Sequence, residues 1–139
     1  GAVTKYKKKI SGPIMDRIDL YVETPQVTYE KLEGGEDEES SASVRSRIIA
    51  ARDIQRERLK GTGLTTNAEM GLREIKQHIH VREALKPMLK LAHEKYQLSA
   101  RAYHRLLKVS RTIADLAGSD DIEAPHLAEA LQYRPKQEI

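Results

Sequence analysis

The stretch "LSARAYHRLLKVSRTIADLAG", residues 98–118, constrains the fold more than any other part of the chain. At 100° per residue, Tyr103, Leu106, Leu107, Ser110, Ile113, Ala114 and Ala117 gather within about 120° of arc, as one buried face of a helix requires. Arg101, His104, Arg105, Lys108 and Arg111 fall on the other side within a similar arc of about 120°. Ser99 is a good N-cap and Gly118 a good stop, so both ends of the helix are marked. A helix of this kind must lay its apolar face on other elements and present a line of cations outward. Ordinary amphipathicity accounts for that pattern. The functional reading is that Arg101, fixed in the first turn by the cap and by the packing of Tyr103 and Leu106, is aimed at a phosphate. Arg105, Lys108 and Arg111 are then candidate phosphate or DNA contacts.

The rest of the chain reads mainly as α-helix. "VRSRIIAARDIQRERLK", from Val44 to about Lys60, places Val44, Ile48, Ala51, Ile54 and Leu59 near helical spacing and stops at Gly61 and Gly63. "TTNAEMGLREIKQHI" gives a shorter helix through Met70, Leu72, Ile75 and Ile79. "REALKPMLKLAHEKY" gives another, with Pro87 near its first turn or two, where the missing N–H does least harm. "DIEAPHLAEALQY" supplies a last helix behind Pro125. Before these, "IDLYVET", Ile18 to Thr24, alternates like a short strand closed by Pro25. One strand cannot pair with itself, so its sheet is expected elsewhere, and residues 1–33 are expected to be partly disordered in isolation. The opening "GAVTKYKKK" has no initiator Met and reads as a cut inside a longer protein. With 139 residues the chain suffices for one domain. Aromatic content is 4%, with no Phe or Trp, so the core must come from Leu, Ile, Val, Ala, Met and Tyr, a helix-bundle palette. There is no Cys, hence no disulfide and no thiolate metal site. No apolar run approaches the roughly 18 residues that span a bilayer. The expectation is a cytoplasmic protein with no membrane partner.

Net charge is +3, but unevenly spread. Glu36, Asp37, Glu38 and Glu39 form an acidic knot in a Gly- and Ser-rich linker, while Ser41 to Arg111 carries sixteen Lys and Arg against six acids. Such a surplus suits phosphate or nucleic acid, or simply a solvated helix surface. Arg17 stands between Asp16 and Asp19 after a Gly-Pro turn. It could be an ion pair at a strand entrance. Its guanidinium is also permanently charged and forked for phosphate oxygens, a group that stabilises phosphoryl transfer and can be supplied from a neighbouring molecule. His78, His80, His93, His104 and His126 do not form a metal site by spacing, and no nucleophile–base constellation can be read. There is no G-x-x-x-x-G-K-[ST]. "KGTGLTT" has the right residue types in the wrong order, so the chain alone is not expected to hydrolyse ATP.

"KYKKKISGPIMDRIDLYVETPQV", "SSASVRSRIIAARDIQRERL", "LSARAYHRLLKVSRTIADLAG" and "HLAEALQYRP" resemble, in that order, the carboxy-terminal part of the magnesium-chelatase-like AAA+ ATPases of bacteria, the ComM-type competence proteins. The resemblance covers nearly the whole chain. It implies that residues 1–33 close an AAA+ core, 34–43 are an acidic linker, 44–135 form a C-terminal helical lid of four or five helices, and 136–139 are a tail. It maps the arginine finger, acting in trans on the nucleotide of an adjacent subunit, onto Arg17, and the sensor-2 arginine, acting in its own subunit, onto Arg101. Ile14 and Met15 replace the family's usual Leu, a conservative departure. ATP and Mg2+ would belong to the parent protein, with none bound by this fragment. The partners implied are its own N-terminal AAA+ core, neighbouring subunits of a hexameric ring and DNA, as a motor in competence or recombination. Two other readings stay open: the lid of a true magnesium chelatase ATPase subunit, and a stand-alone basic helical DNA-binding domain. The last lacks any groove-reading element or aromatic stacking platform.

Overall fold

The computed structural model of the chain describes residues 17–27, 29 and 39–134. Among them are five helices, α1 (Ser41–Arg58), α2 (Leu72–His78), α3 (Lys86–Tyr96), α4 (Ala100–Leu116) and α5 (Ala124–Gln132), with short 3-10 turns at Asn67–Glu69 and Glu83–Leu85. No strand forms among the described residues. The expected strand over Ile18–Thr24 is therefore corrected: residues 18–27 carry no regular structure, and Leu20 and Val22 are exposed. A strand is defined by a ladder, and this segment makes a backbone bond from Tyr21 N–H to the Tyr133 carbonyl, 2.9 Å, instead of one. The Gly-Pro turn, residues 34–38 of the acidic linker and the tail lie outside the described residues, and the last three linker residues, 41–43, belong to α1.

The helix ends follow local chemistry. Ser40 and Ser99 cap α1 and α4 by accepting from the N–H groups of Ser43 and Ala102, each at 3.2 Å. At the end of α4, Gly118 takes φ +67°, and the N–H groups of Gly118 and Ser119 return to the carbonyls of Asp115 and Ala114 at 3.1 and 2.9 Å. These two bonds satisfy carbonyls that the helix end would leave open. The Glu69 carboxylate accepts from the N–H groups of Thr65 and Thr66 at 2.9 and 2.8 Å, which fixes the 3-10 turn ahead of α2.

Helix α4 is the spine, with α1, α2, α5 and the Asn67–Glu69 turn packed on it. Leu106, Leu107, Ser110 and Ala114 are buried, Tyr103 and Ile113 are half-buried, and Ala117 at the C-terminal end is exposed. Leu59, Met70, Ile75, Leu89, Ile122 and Leu127 complete the core around them. Each such side chain, fully buried, contributes about 1.5–3 kcal/mol of transfer free energy.

Helix α1 departs from its expected pattern. Ala51, Gln55 and the following Leu59 are buried, but Ile48 is 47% and Ile54 39% exposed. No residue of 41–50 is buried, so the first ten residues of α1, about 15 Å at 1.5 Å per residue, add nothing to the buried core.

Candidate functional site

The side chains expected on the outward face of α4 meet different fates. Arg101, one residue into the helix, is exposed and makes no hydrogen bond or ion pair among the described residues. Its backbone is held by the Ser99 cap, so only the side chain is free to move. Arg105, one turn on, is half-buried, and its Nη1 donates to the Ile18 carbonyl at 2.6 Å. Lys108 donates its Nζ to the Ala68 carbonyl at 2.8 Å, which ties α4 to the 3-10 turn. His104 stands edge-on to the Tyr103 ring, with centroids 5.7 Å apart.

Arg111 is a correction. It was expected on the outward cation line, yet it is 4% exposed and cannot meet DNA or a free phosphate in this fold. On the helical wheel it lies only about 40° from Leu107, at the margin of the buried face. The turn after α4 folds back over it. Its Nε donates to Asp115 Oδ1 at 3.0 Å, its Nη1 to the Asp120 carbonyl at 2.8 Å and its Nη2 to the Ser119 carbonyl at 2.5 Å. Burial pulls its guanidinium below the ordinary range, Asp115 opposes that, and the nearby Arg58 adds to it.

Asp115 is the centre of this buried polar network. Its side chain is 0% exposed and also receives Arg58 Nη1 and Asn67 Nδ2, both at 2.8 Å. Arg58 Nη1 bonds Asn67 Oδ1 at 3.0 Å, and Gln55 Oε1 accepts the Asn67 N–H at 3.1 Å. One carboxylate thus fixes α1, the 3-10 turn and the C-terminal end of α4. Sequence reasoning missed this centre. The Arg111–Asp115 spacing of four was a legible signal, whereas Arg58 arrives from a different helix.

A second missed cation is Arg134, which stacks on the Tyr96 ring with its guanidinium carbon 4.1 Å from the centroid. Burial draws it below the usual guanidinium range, Tyr96 opposes this, and the neighbouring Arg105 adds to it. Arg105 and Arg134 line a crevice with Asp19, Leu106 and Ala130. It has room for about one water molecule, too little for a phosphate group. Arg17 is exposed and sits at the start of the segment that Arg105 holds; Asp16 lies outside the described residues. Among the described residues no three His, Asp or Glu side chains form a metal-binding group. His126 instead accepts the Glu123 N–H at Nδ1, 3.0 Å, capping α5. No described helix is long and apolar enough to cross a membrane.

Residues 38–134 match the family described as magnesium chelatase, subunit ChlI C-terminal, and residues 1–32 match magnesium chelatase, subunit ChlI. The chain belongs to the magnesium chelatase ChlI C-terminal family. The competence protein ComM of Haemophilus influenzae is 43% identical over 133 residues, covering 95% of this chain and 25% of that protein. The uncharacterized protein YifB of Salmonella typhimurium is 41% identical over 136 residues, covering 94% of this chain and 25% of its own length. The uncharacterized protein Mb2921c of Mycobacterium bovis is 32% identical over 130 residues, covering 94% and 26%. The chain spans about a quarter of the length of these relatives. The resemblance read from the sequence therefore holds along nearly all of it. The junction between the two family segments falls in the acidic stretch ahead of α1, so this ChlI C-terminal domain is the helical body described above.

Proposed function

We propose that this chain is the helical lid of a longer AAA+ ATPase, together with the end of its core, and that the assembled protein is a motor acting on DNA. Arg101 contacts the nucleotide of its own subunit, and Arg17 reaches the nucleotide held by the next subunit of a ring. The observation that carries this reading is the state of Arg101. Of the four Arg and Lys residues on the cation line of α4, it alone has no partner among the described residues, while its backbone is anchored by a serine cap. A permanent cation on a fixed helix end suits a phosphate that must be sensed at one position.

Fitting ATP and Mg2+ to this chain is limited to those arginines. Neither a phosphate-cradling loop nor a metal-binding acidic group is among the described residues, so the core must hold the nucleotide and its metal. When bound there, ATP supplies the phosphoryl group to be transferred. The contribution of this chain is charge stabilisation at the phosphates.

The name of the Haemophilus relative, a competence protein, favours action on DNA over porphyrin metallation. Basic residues exposed on α1, among them Arg45 and Arg52, are the better candidates for the DNA backbone now that Arg111 is enclosed. The test is made in the polypeptide that carries the ATPase core. Arg17→Ala should abolish ATP turnover and leave nucleotide binding intact, and Arg101→Ala should raise the KM for ATP or uncouple binding from turnover. Wild-type kinetics in both variants would end this reading.

A further inference from the structure

We infer that Arg105 is a positioning residue that ties the segment bearing Arg17 to the helix bearing Arg101, so that the two nucleotide-facing arginines move together. The inference rests on the function proposed above and adds a residue to it. Arg105 lies four positions, one helical turn, beyond Arg101, and its Nη1 donates at 2.6 Å to the carbonyl of Ile18, the residue next to Arg17. A guanidinium donor makes this a charge-assisted bond, stronger and more directional than an ordinary amide pairing.

The tie is doubled three residues later. Tyr21 donates its N–H to the Tyr133 carbonyl at 2.9 Å, and Tyr133 follows directly on α5, which packs along α4. Between the two bonds the crevice walled by Asp19, Leu106 and Ala130 leaves room for about one water molecule, so the segment is seated against the helices rather than spanning a gap. Arg134, the second cation there, is held on Tyr96. A helix displaced by an anion at Arg101 carries Arg105 with it, since both side chains spring from adjacent turns of one rigid element. Arg105 in turn pulls on the peptide beside Arg17. The nucleotide state of one subunit would thereby reach the finger offered to its neighbour, a two-site coupling in which the Arg105–Ile18 bond is an identifiable link.

The test begins with this chain alone. In Arg105→Leu the Tyr21 amide should exchange with deuterium about tenfold faster or more, as loss of a charged hydrogen bond implies. The Ala117 amide, which closes on Ile113 at 3.0 Å, should be unchanged and reports that the fold is intact. Arg105→Lys keeps a charged donor and should restore most of the Tyr21 protection, which separates the tie from general loosening. In the polypeptide with its ATPase core, Arg105→Leu should lower kcat about tenfold while the KM for ATP stays within about twofold. Unchanged Tyr21 exchange in Arg105→Leu overturns the inference and leaves the function proposed above standing. Faster Tyr21 exchange with unaltered kcat overturns the coupling. Normal turnover in Arg17→Ala overturns the finger assignment and the coupling together, whatever Tyr21 does.

Discussion

Replacing Asp115 by Ala tests whether the buried network holds the helices together. The carboxylate is 0% exposed and pairs with two guanidinium groups, those of Arg58 and Arg111, whose side chains are 15% and 5% exposed. Removing one member of a buried ion pair typically costs about 3–5 kcal/mol, because the remaining charge stays buried without compensation. Two opposing effects bear on the value here. Arg58, the more exposed, can swing partly into water, which lowers the cost. Asn67 loses an acceptor for its Nδ2, which raises it. A loss of about 4 kcal/mol is therefore expected, a large share of the roughly 5–15 kcal/mol that a domain of this size possesses. Urea unfolding followed by far-UV circular dichroism should show the midpoint falling with little change in slope, and the melting temperature should drop by roughly 15 °C or more. Arg111→Met in the same background removes one orphaned charge, so the double variant should lose less than the sum of the single ones. If Asp115→Ala stays within about 1 kcal/mol of the parent, the network is not what fixes α1 to α4, and the argument from enclosed charge fails.

Two further perturbations probe local chemistry. Gln97, after α3, has φ +48° in the left-handed region, where a side chain costs about 1–2 kcal/mol. Gln97→Gly removes that strain but forfeits the 2.8 Å bond from Gln97 Nε2 to the Glu94 carbonyl, so a net gain of about 0.5–1 kcal/mol in thermal unfolding is expected, and a loss would contradict the strain argument. Glu69 is held below the ordinary carboxylate range, first by the Thr65 N–H, then by the Thr65 hydroxyl and the Thr66 N–H and hydroxyl. A depressed folded value means stabilisation that is fully present above the unfolded carboxylate value and is lost as pH falls through the folded one. Glu69→Gln should flatten the acid limb of the stability–pH curve and leave its neutral region nearly parallel to the parent. An unchanged acid limb would count against the cap.

What could be read from the sequence divides along the range of the interactions involved. Ser99, Gly118 and the apolar face of α4 were legible because caps and helical periodicity act within a few residues. Ser40 caps α1 by the same short-range chemistry. The strand over Ile18–Thr24 was misread because alternation signals only a suitable surface, and a strand exists only where a distant ladder accepts it. Ile48 and Ile54 had the right spacing for burial, yet the face that α1 lays on its neighbours runs through Ala51, Gln55 and the following Leu59, and which face is covered is set by tertiary packing that no spacing within α1 records. Arg111 illustrates the same limit for charge. It lies at the margin of the wheel, and the chain reversal after Gly118 turns that margin into interior by laying the Ser119 and Asp120 carbonyls across it.

The cation line thus did not survive folding as a line, because tertiary neighbours claimed three of its four Arg and Lys members: a main-chain carbonyl took Arg105, another took Lys108, and Asp115 took Arg111. Availability to an outside phosphate is decided by that competition. A carbonyl already in contact needs no association entropy to be met, whereas a ligand must overcome that cost to displace it. Arg101 stands outside that competition: it is exposed in the first turn and has no partner among the described residues. That is why the nucleotide role proposed above is assigned on α4 to Arg101 and not to its neighbours.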